Sequence, residues 1–404
     1  MASTRTTPRV NMALLGPMLV VNMALLTVAG PSFGILASTL LETFDISRGQ
    51  IGQLNAGYAV VGALVSPLTG RLADRVGGRN LMVLGFVIAA AVFAILGSAN
   101  GFVLLMVAAA LSGVPNGMGN QGTNKYISVE VPVDRRGVIT GVKQSGVMFG
   151  VFTAGLALPR GVNAIGYSAT MFVVAGLAIA GAIAALIILP ADRVERSTAE
   201  DGSGRLPSSI RWIAVYAAFM GGAIGCQSAF LALYVEEDLG FTRVQSGLLV
   251  GSVGLVAVVA RILLGRLTQT VSSYAPVLTT MALGATLSFV VIRLASSVGS
   301  WLILLTPLIA GFTTSSWNSP VNLASMRLVP TAQAGRSAGL VMFGFMSGYA
   351  MAPPLFGAAV DRLGSYDLPW LAGIVLCLGA ALTALAWRRQ EDRELQSQAQ
   401  CQLS

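Results

Sequence analysis

Apolar runs of roughly 20 residues recur along the chain, separated by short polar or charged stretches. They fall near 11–37, 50–70, 80–98, 101–127, 137–159 and 168–190, then near 211–234, 245–264, 274–296, 301–327, 336–359 and 369–388. A helix needs about 20 apolar residues to cross the hydrocarbon of a bilayer, so each run predicts one transmembrane helix. The expected fold class is an all-α membrane protein with twelve transmembrane helices in two six-helix halves. The first run follows a polar start with Arg5 and Arg9, but its length and its Pro17 and Pro31 fit a retained span better than a cleaved signal peptide. Between the halves, Asp192 to Arg211 holds Glu200, Asp201, Gly202, Ser203, Gly204, Pro207, Ser208 and Ser209, the composition of a linker. The predicted division is 1–191 for the N-terminal half, 192–210 for a cytoplasmic linker, 211–390 for the C-terminal half and 391–404 for a cytoplasmic tail.

The halves repeat one another. Ile46-Ser47-Arg48-Gly49-Gln50-Ile51-Gly52 recurs as Phe241-Thr242-Arg243-Val244-Gln245-Ser246-Gly247, an offset of 195, which also carries Gly70-Arg71-Leu72 onto Gly265-Arg266-Leu267. Further on, an offset of 198 carries Asn124, Pro132, Gly137, Gly141, Gly146 and Gly150 onto Asn322, Pro330, Gly335, Gly339, Gly344 and Gly348.

Composition agrees with a membrane setting: 54% of residues are hydrophobic and 10% charged, where soluble domains carry about a quarter charged. The net charge of +8 reports topology instead of nucleic-acid binding, because the basic residues are spread over short loops. With the N-terminus inside, inside segments hold 17 Lys and Arg and outside loops four (Arg48, Arg160, Arg243, Arg362). That bias predicts two cytoplasmic termini, and the expected location is a bacterial inner membrane. Trp212, Trp301, Trp370 and Trp387 fall at span ends and are expected at the membrane interfaces. The chain has no histidine, which removes His-based catalysis, metal ligation and proton switching. Cys226, Cys377 and Cys401 show no paired spacing, so no disulfide frame and no metal or other cofactor is expected.

Between the second and third runs stands Gly70-Arg71-Leu72-Ala73-Asp74-Arg75-Val76-Gly77-Gly78-Arg79-Asn80, too charged for hydrocarbon and read as a tight cytoplasmic hairpin loop. Gly70, Leu72, Asp74, Arg75, Gly77 and Arg79 fill the strongly expected positions of the signature loop of the major facilitator superfamily, and the chain resembles that family over essentially its whole length. The resemblance implies parallel halves around a central substrate site. It also implies that Asp74 approaches the start of the eleventh span, Gly335 to Ser337, when the cytoplasmic side is closed. Gly70 and Gly335 would permit close approach, and Arg75, Arg79 and Arg336 would share the gating. The second copy of the loop has Gln269 where Asp74 stands in the first.

Within the spans four bases remain, Lys125, Lys143, Arg261 and Arg293, and no acid lies near a span centre. Charge in hydrocarbon is costly, so such residues face a cavity by default, and an anionic ligand is their natural counter-ion. Lys125 and Arg293 lie near span ends and are expected to snorkel to water. Arg261, in Ala260-Arg261-x-x-x-Gly265, resembles the substrate arginine of monocarboxylate transporters and the oxalate/formate antiporter, and its planar fork suits a carboxylate. Lys143, in Gly141-Val142-Lys143-Gln144-Ser145-Gly146, resembles a group of bacterial permeases of small organic anions; its alternative is a bridge between helices at the cytoplasmic gate. Asn22, Gln227, Trp317, Asn318, Asn322 and Tyr349 complete the candidate substrate-binding set, with helix packing as the bland alternative for each.

Two departures shape the reading. The fourth span lacks the arginine, and the fifth the Gly-Pro pair, that proton-coupled drug exporters carry. Ala257 stands where the monocarboxylate transporters place an acid one turn before the arginine. The expected function is secondary active or facilitative transport of a small organic anion by alternating access. Export of amphipathic, drug-like compounds is the alternative, and a non-transporting receptor or scaffold is the alternative of another class; no enzyme is expected. The expected partners are the substrate, the lipid bilayer and a coupling proton or exchanged anion, with no nucleic acid, and the chain is expected to act as a monomer.

Overall fold

A computed structural model describes residues 12–190, 206–268, 271, 273–329 and 333–403. Gln269 and most of the expected linker lie outside them. The helices are α1 (Met12–Thr27), α2 (Ala29–Ile35), α3 (Ala37–Phe44), α4 (Arg48–Val76), α5 (Gly78–Gly97), α6 (Phe102–Glu130), α7 (Val133–Ile165) and α8 (Tyr167–Ile188). After the linker come α9 (Ser208–Glu237), α10 (Arg243–Leu267), α11 (Ala275–Leu294), α12 (Thr306–Phe312), α13 (Asn318–Arg327), α14 (Ala334–Leu363) and α15 (Asp367–Leu403). Among the described residues ten helices are long and apolar enough to span a membrane. The bent pair α1–α2 supplies another crossing and the broken segment from Ser300 to Arg327 the last, completing the twelve-helix, all-α architecture.

Several expected boundaries move. The linker ends earlier than 210, because α9 begins at Ser208, and the tail after residue 390 continues α15 as helix to Leu403. The expected loop from Gly70 to Asn80 shrinks to a single residue, Gly77, between α4 and α5. Nothing from Gly70 to Val76 stops a helix, so both helices run on until Gly77 turns the chain at φ 84°, a backbone that glycine adopts without strain.

The two broken spans have identifiable causes. Pro31 has no N–H for the Thr27 carbonyl, and the chain bends by 56° between α1 and α2. In the tenth span Pro320 similarly abandons the carbonyl of Ser316, which accepts Ser319 N–H at 3.1 Å instead. Upstream, the hydroxyls of Thr313, Thr314 and Ser316 donate to the carbonyls of Ile309, Ala310 and Gly311 at 2.6–2.9 Å, competing with the regular backbone ladder.

The chain divides into two compact units, one of Met1–Asp45 with Gly57–Thr198, the other of Ile46–Ala56 with Ala199–Ser404. The repeats seen in sequence have structural reasons inside each unit. In the first, α7 packs on α1, and a Cβ on Gly146 or Gly150 would lie 2.9 Å or less from the α1 backbone or Met23. In the second, α14 packs on α9, and the matching Gly344 and Gly348 abut the carbonyls of Ala214 and Ala218. Small residues let helices approach to backbone contact where lipid offers no hydrophobic drive. The other repeat is a pair of capping boxes. Ser47 N–H donates to Gln50 Oε1 at 2.8 Å and Gln50 N–H to Ser47 Oγ at 3.2 Å; Thr242 and Gln245 do the same at 2.9 and 3.3 Å.

Leu26, Met82, Phe86, Tyr126 and Ala182 form part of the core of the first unit. In the second, Tyr234, Phe289, Phe356 and Trp370 pack ring on ring with centroids 4.8–5.8 Å apart. Trp370 and Trp387 are therefore not interfacial as expected; both are buried among helices, because each rim position falls on a helix face turned toward a neighbour. Trp301, by contrast, is 61% exposed.

The α9–α14 contact has no slack. Gly348→Val is expected to lower stability by about 1–3 kcal/mol or more, since the colliding group is backbone. Gly339→Ala, with nothing within 4 Å of the new Cβ, is expected to change it by less than ~0.5 kcal/mol. Thermal unfolding of the purified protein in detergent checks both.

Candidate functional site

Of the four span bases, two end on a carboxylate. Lys125 Nζ lies 2.8 Å from Asp74 Oδ1, so it pairs with an acid of α4 instead of snorkelling to water. Arg293 Nε faces Asp367 Oδ1 at 3.9 Å, and both side chains stay substantially exposed at the span end, so the arginine has an acid beside it as well as the accessible position expected of it. The sequence had offered neither lysine nor arginine an internal partner, because Asp74 and Asp367 read there as loop acids.

Lys143 differs. It stands on α7, is fully buried, and donates to Asn124 Oδ1 of α6 at 2.6 Å and to the Asn120 carbonyl at 3.4 Å. Among the described residues no carboxylate lies within ion-pair distance of its Nζ. The same face of α6 meets α1: Asn22 is fully buried, its Oδ1 would be 3.5 Å from a Cβ on Gly119, and neither atom of its amide has a hydrogen-bond partner. Thr123, between Asn120 and Asn124, donates to the Gly119 carbonyl at 2.6 Å.

In the second unit the break in the tenth span builds the setting of Arg261. In a continuous helix the Ser315 carbonyl would accept from Ser319 N–H, but that N–H is spent on Ser316. The Ser315 carbonyl turns instead to Arg261 of α10 and accepts from Nε at 3.2 Å and Nη2 at 2.8 Å. Trp317, two residues on, is buried between Tyr216 and Phe345, with centroids 6.1 and 5.3 Å away. Phe345 continues the row to Tyr349 at 5.8 Å, and the Tyr349 hydroxyl hydrogen-bonds Ser228. Gln227 is buried with its Nε2 unpartnered. Asn318 is half-buried and Asn322 exposed.

Of the candidate gating residues, Arg79 donates from Nη2 to the Leu186 carbonyl at the end of α8, 2.6 Å away. Arg75 and Arg336 are exposed, and no Cβ added at Gly70 would meet anything within 4 Å. Gly335 is the second residue of α14.

Sequence reasoning passed over Asn120 and Asn124, two polar positions among many, and the Ser315 carbonyl, which a side-chain reading cannot register. It also passed over a cluster in the second unit where the start of α4 meets the ends of α9 and α14. Arg48 donates to Glu237 through Nη2 at 2.6 Å and Nε at 3.1 Å, and the Tyr366 hydroxyl donates to the same carboxylate at 2.6 Å. Burial first, and the Glu237 bond second, hold that hydroxyl well above the ordinary phenol range, so it stays a donor. Asp361 accepts the N–H groups of Arg48 and Gly49 at 3.2 and 2.8 Å, a carboxylate on the positive end of a helix. A Cβ on Gly52 would collide with the backbone of Pro353 and Pro354. Arg48 had been legible only as a loop charge, its partners lying hundreds of residues away.

Comparison with known proteins adds the following. The sequence profile of the Major Facilitator Superfamily matches residues 17–353. A probable nitrate/nitrite transporter of Mycobacterium tuberculosis is 27% identical over 380 residues, 89% of this chain and 92% of that protein. The nitrite extrusion protein of Bacillus subtilis is 24% identical over 390 residues, covering 91% and 93%. Among solved structures, a bacterial homologue of the human lysosomal transporter Spinster, in an inward-facing and occupied conformation, shares the fold at a TM-score of 0.78. It is 15% identical, with 93% of this chain and 97% of that one covered.

The cap by Asp361 is testable alone. Asp361→Ala is expected to cost about 1–2 kcal/mol, and Asp361→Asn, which keeps an acceptor, clearly less. Equal losses in thermal unfolding would show that the carboxylate does not act as a cap.

Proposed function

The chain belongs to the Major Facilitator Superfamily and is a multi-pass membrane transporter, not an enzyme; we propose that its cargo is a small anion carrying carboxylate- or nitrate-like oxygens. One observation carries the reading: Lys143 is fully buried inside the helix bundle on a carboxamide and a carbonyl, with no carboxylate within ion-pair distance among the described residues. A buried cation without a counter-charge is costly, and an incoming anion relieves that cost. Arg261 supports the same reading from the other unit. Its guanidinium is fixed through the Nε–Nη2 edge on the Ser315 carbonyl, and a basic group held within a span favours an anion as counter-ion. Nitrate and nitrite in the names of relatives agree with an oxyanion, and small organic carboxylates share that chemistry.

The proposed cycle is alternating access, with the two termini cytoplasmic and the protein in an inner membrane. Coupling is by anion exchange, by facilitated diffusion or by a proton travelling with the substrate. Asn22, Gln227, Trp317, Asn318, Asn322 and Tyr349 are proposed as further substrate-binding residues. Gly70, Asp74, Arg75, Arg79, Gly335 and Arg336 are proposed to govern the cytoplasmic gate, with Asp74 held on Lys125 in the state described here.

Counterflow in proteoliposomes tests the reading with nitrate, nitrite, formate, acetate and oxalate, and a lipophilic cation as the contrasting cargo. At least one anion is expected to exchange and the cation is not. Arg261→Gln and Lys143→Gln are each expected to abolish exchange while the protein stays folded. Arg261→Lys is expected to remain poor, since an ammonium does not reproduce the two-point geometry. Exchange of the cation alone, or wild-type rates in both Gln variants, would sink the anion reading.

A further inference from the structure

The protein treats its two neighbouring lysines differently. Lys125 receives the Asp74 carboxylate at 2.8 Å, whereas Lys143 receives the Asn124 carboxamide at 2.6 Å. Asn124 and Lys125 are consecutive on α6, so an acid is held one residue away from the position that lacks one. Asp and Asn have nearly the same shape and accept the same hydrogen bond, but only Asp would cancel the charge. The exposures are also unequal: Lys143 is fully buried while Asn124 is exposed. Asn124 is therefore the accessible partner of the pair and Lys143 the enclosed one. Nearby, Asn22 places a buried carboxamide against Gly119 of the same helix, with both polar atoms unpartnered.

We propose that Asn124 is the specificity-determining residue of the anion site, a neutral cover that holds Lys143 in place without neutralising it and gives way to the substrate. This rests on the anion reading above and refines it. The incoming anion replaces Asn124 Oδ1 as acceptor for Lys143 Nζ. A carboxylate at 124 would instead form an ion pair that every substrate anion had to displace, while repelling it.

Nitrate and formate counterflow in proteoliposomes distinguishes this from a packing role. Asn124→Asp is expected to raise KM by about tenfold or more, with kcat changed by less than about threefold and the thermal midpoint unchanged or higher. Asn124→Ala removes the competing acceptor and is expected to leave KM at or below the wild-type value. If Asn124→Asp does not fold, the Ala variant decides alone: a KM raised about tenfold there overturns the proposal. Unchanged KM in a folded Asn124→Asp, or a loss confined to kcat, also overturns it while leaving the anion reading intact. If the wild-type protein moves neither anion nor any other in the panel, the anion reading itself has failed.

Discussion

Hydrocarbon offers no hydrogen-bond partner, so every peptide group that leaves the helical ladder must be satisfied by the protein itself. That constraint governs where this chain departs from straight helix. Prolines at 31 and 320 each strip one carbonyl of its helical donor. Around the first, Ser32 donates its hydroxyl to the Val28 carbonyl at 2.7 Å. Around the second, three hydroxyls and Ser319 N–H take up most of the slack, and the remaining carbonyl, Ser315, is covered by Arg261. The broken helix and the buried guanidinium are thus one solution: the break needs a donor at mid-span, and the arginine needs an acceptor there.

The same constraint sorts the charges. Lys125, Arg293 and Arg79 find a carboxylate or a helix-end carbonyl. Lys143 is hydrogen-bonded but not neutralised. Replacing Asn124 by an acid would serve stability better than the present arrangement, since a buried charge is tolerated best when paired. Its absence is where stability has been forgone, and such places are where function is expected to reside.

The spans were legible because a bilayer imposes a length that the sequence must meet. The repeats were legible too, but not their content. Ser47 with Gln50 reveals itself as a capping box once the helix start is fixed, and Gly344 with Gly348 as a contact surface once α9 is seen beside α14. What stayed hidden has physical causes. Gly70 to Val76 carries charges, which suggested a loop, yet a helix tolerates charges once it has left the hydrocarbon. Trp370 and Trp387 lie at span ends, but sequence position does not say which way a helix face turns. Asn124 carries no charge and Ser315 acts through its backbone, so neither offers the signal that made Lys143 and Arg261 conspicuous. Arg48 needed partners from the far end of the chain.

That last separation sets an order of assembly. The second unit includes Ile46–Ala56, a stretch made early, yet the carboxylate that receives Arg48 N–H follows it by 313 residues. At ribosomal rates of about 5–20 residues per second, roughly 15–60 s pass between the two. Until then the first turn of α4 relies on its own Ser47–Gln50 box, and Gly52 awaits the Pro353–Pro354 backbone that will close on it. Folding of this protein therefore finishes by returning to its beginning: one of the last helices to leave the ribosome docks on a segment that entered the membrane about a minute or less before.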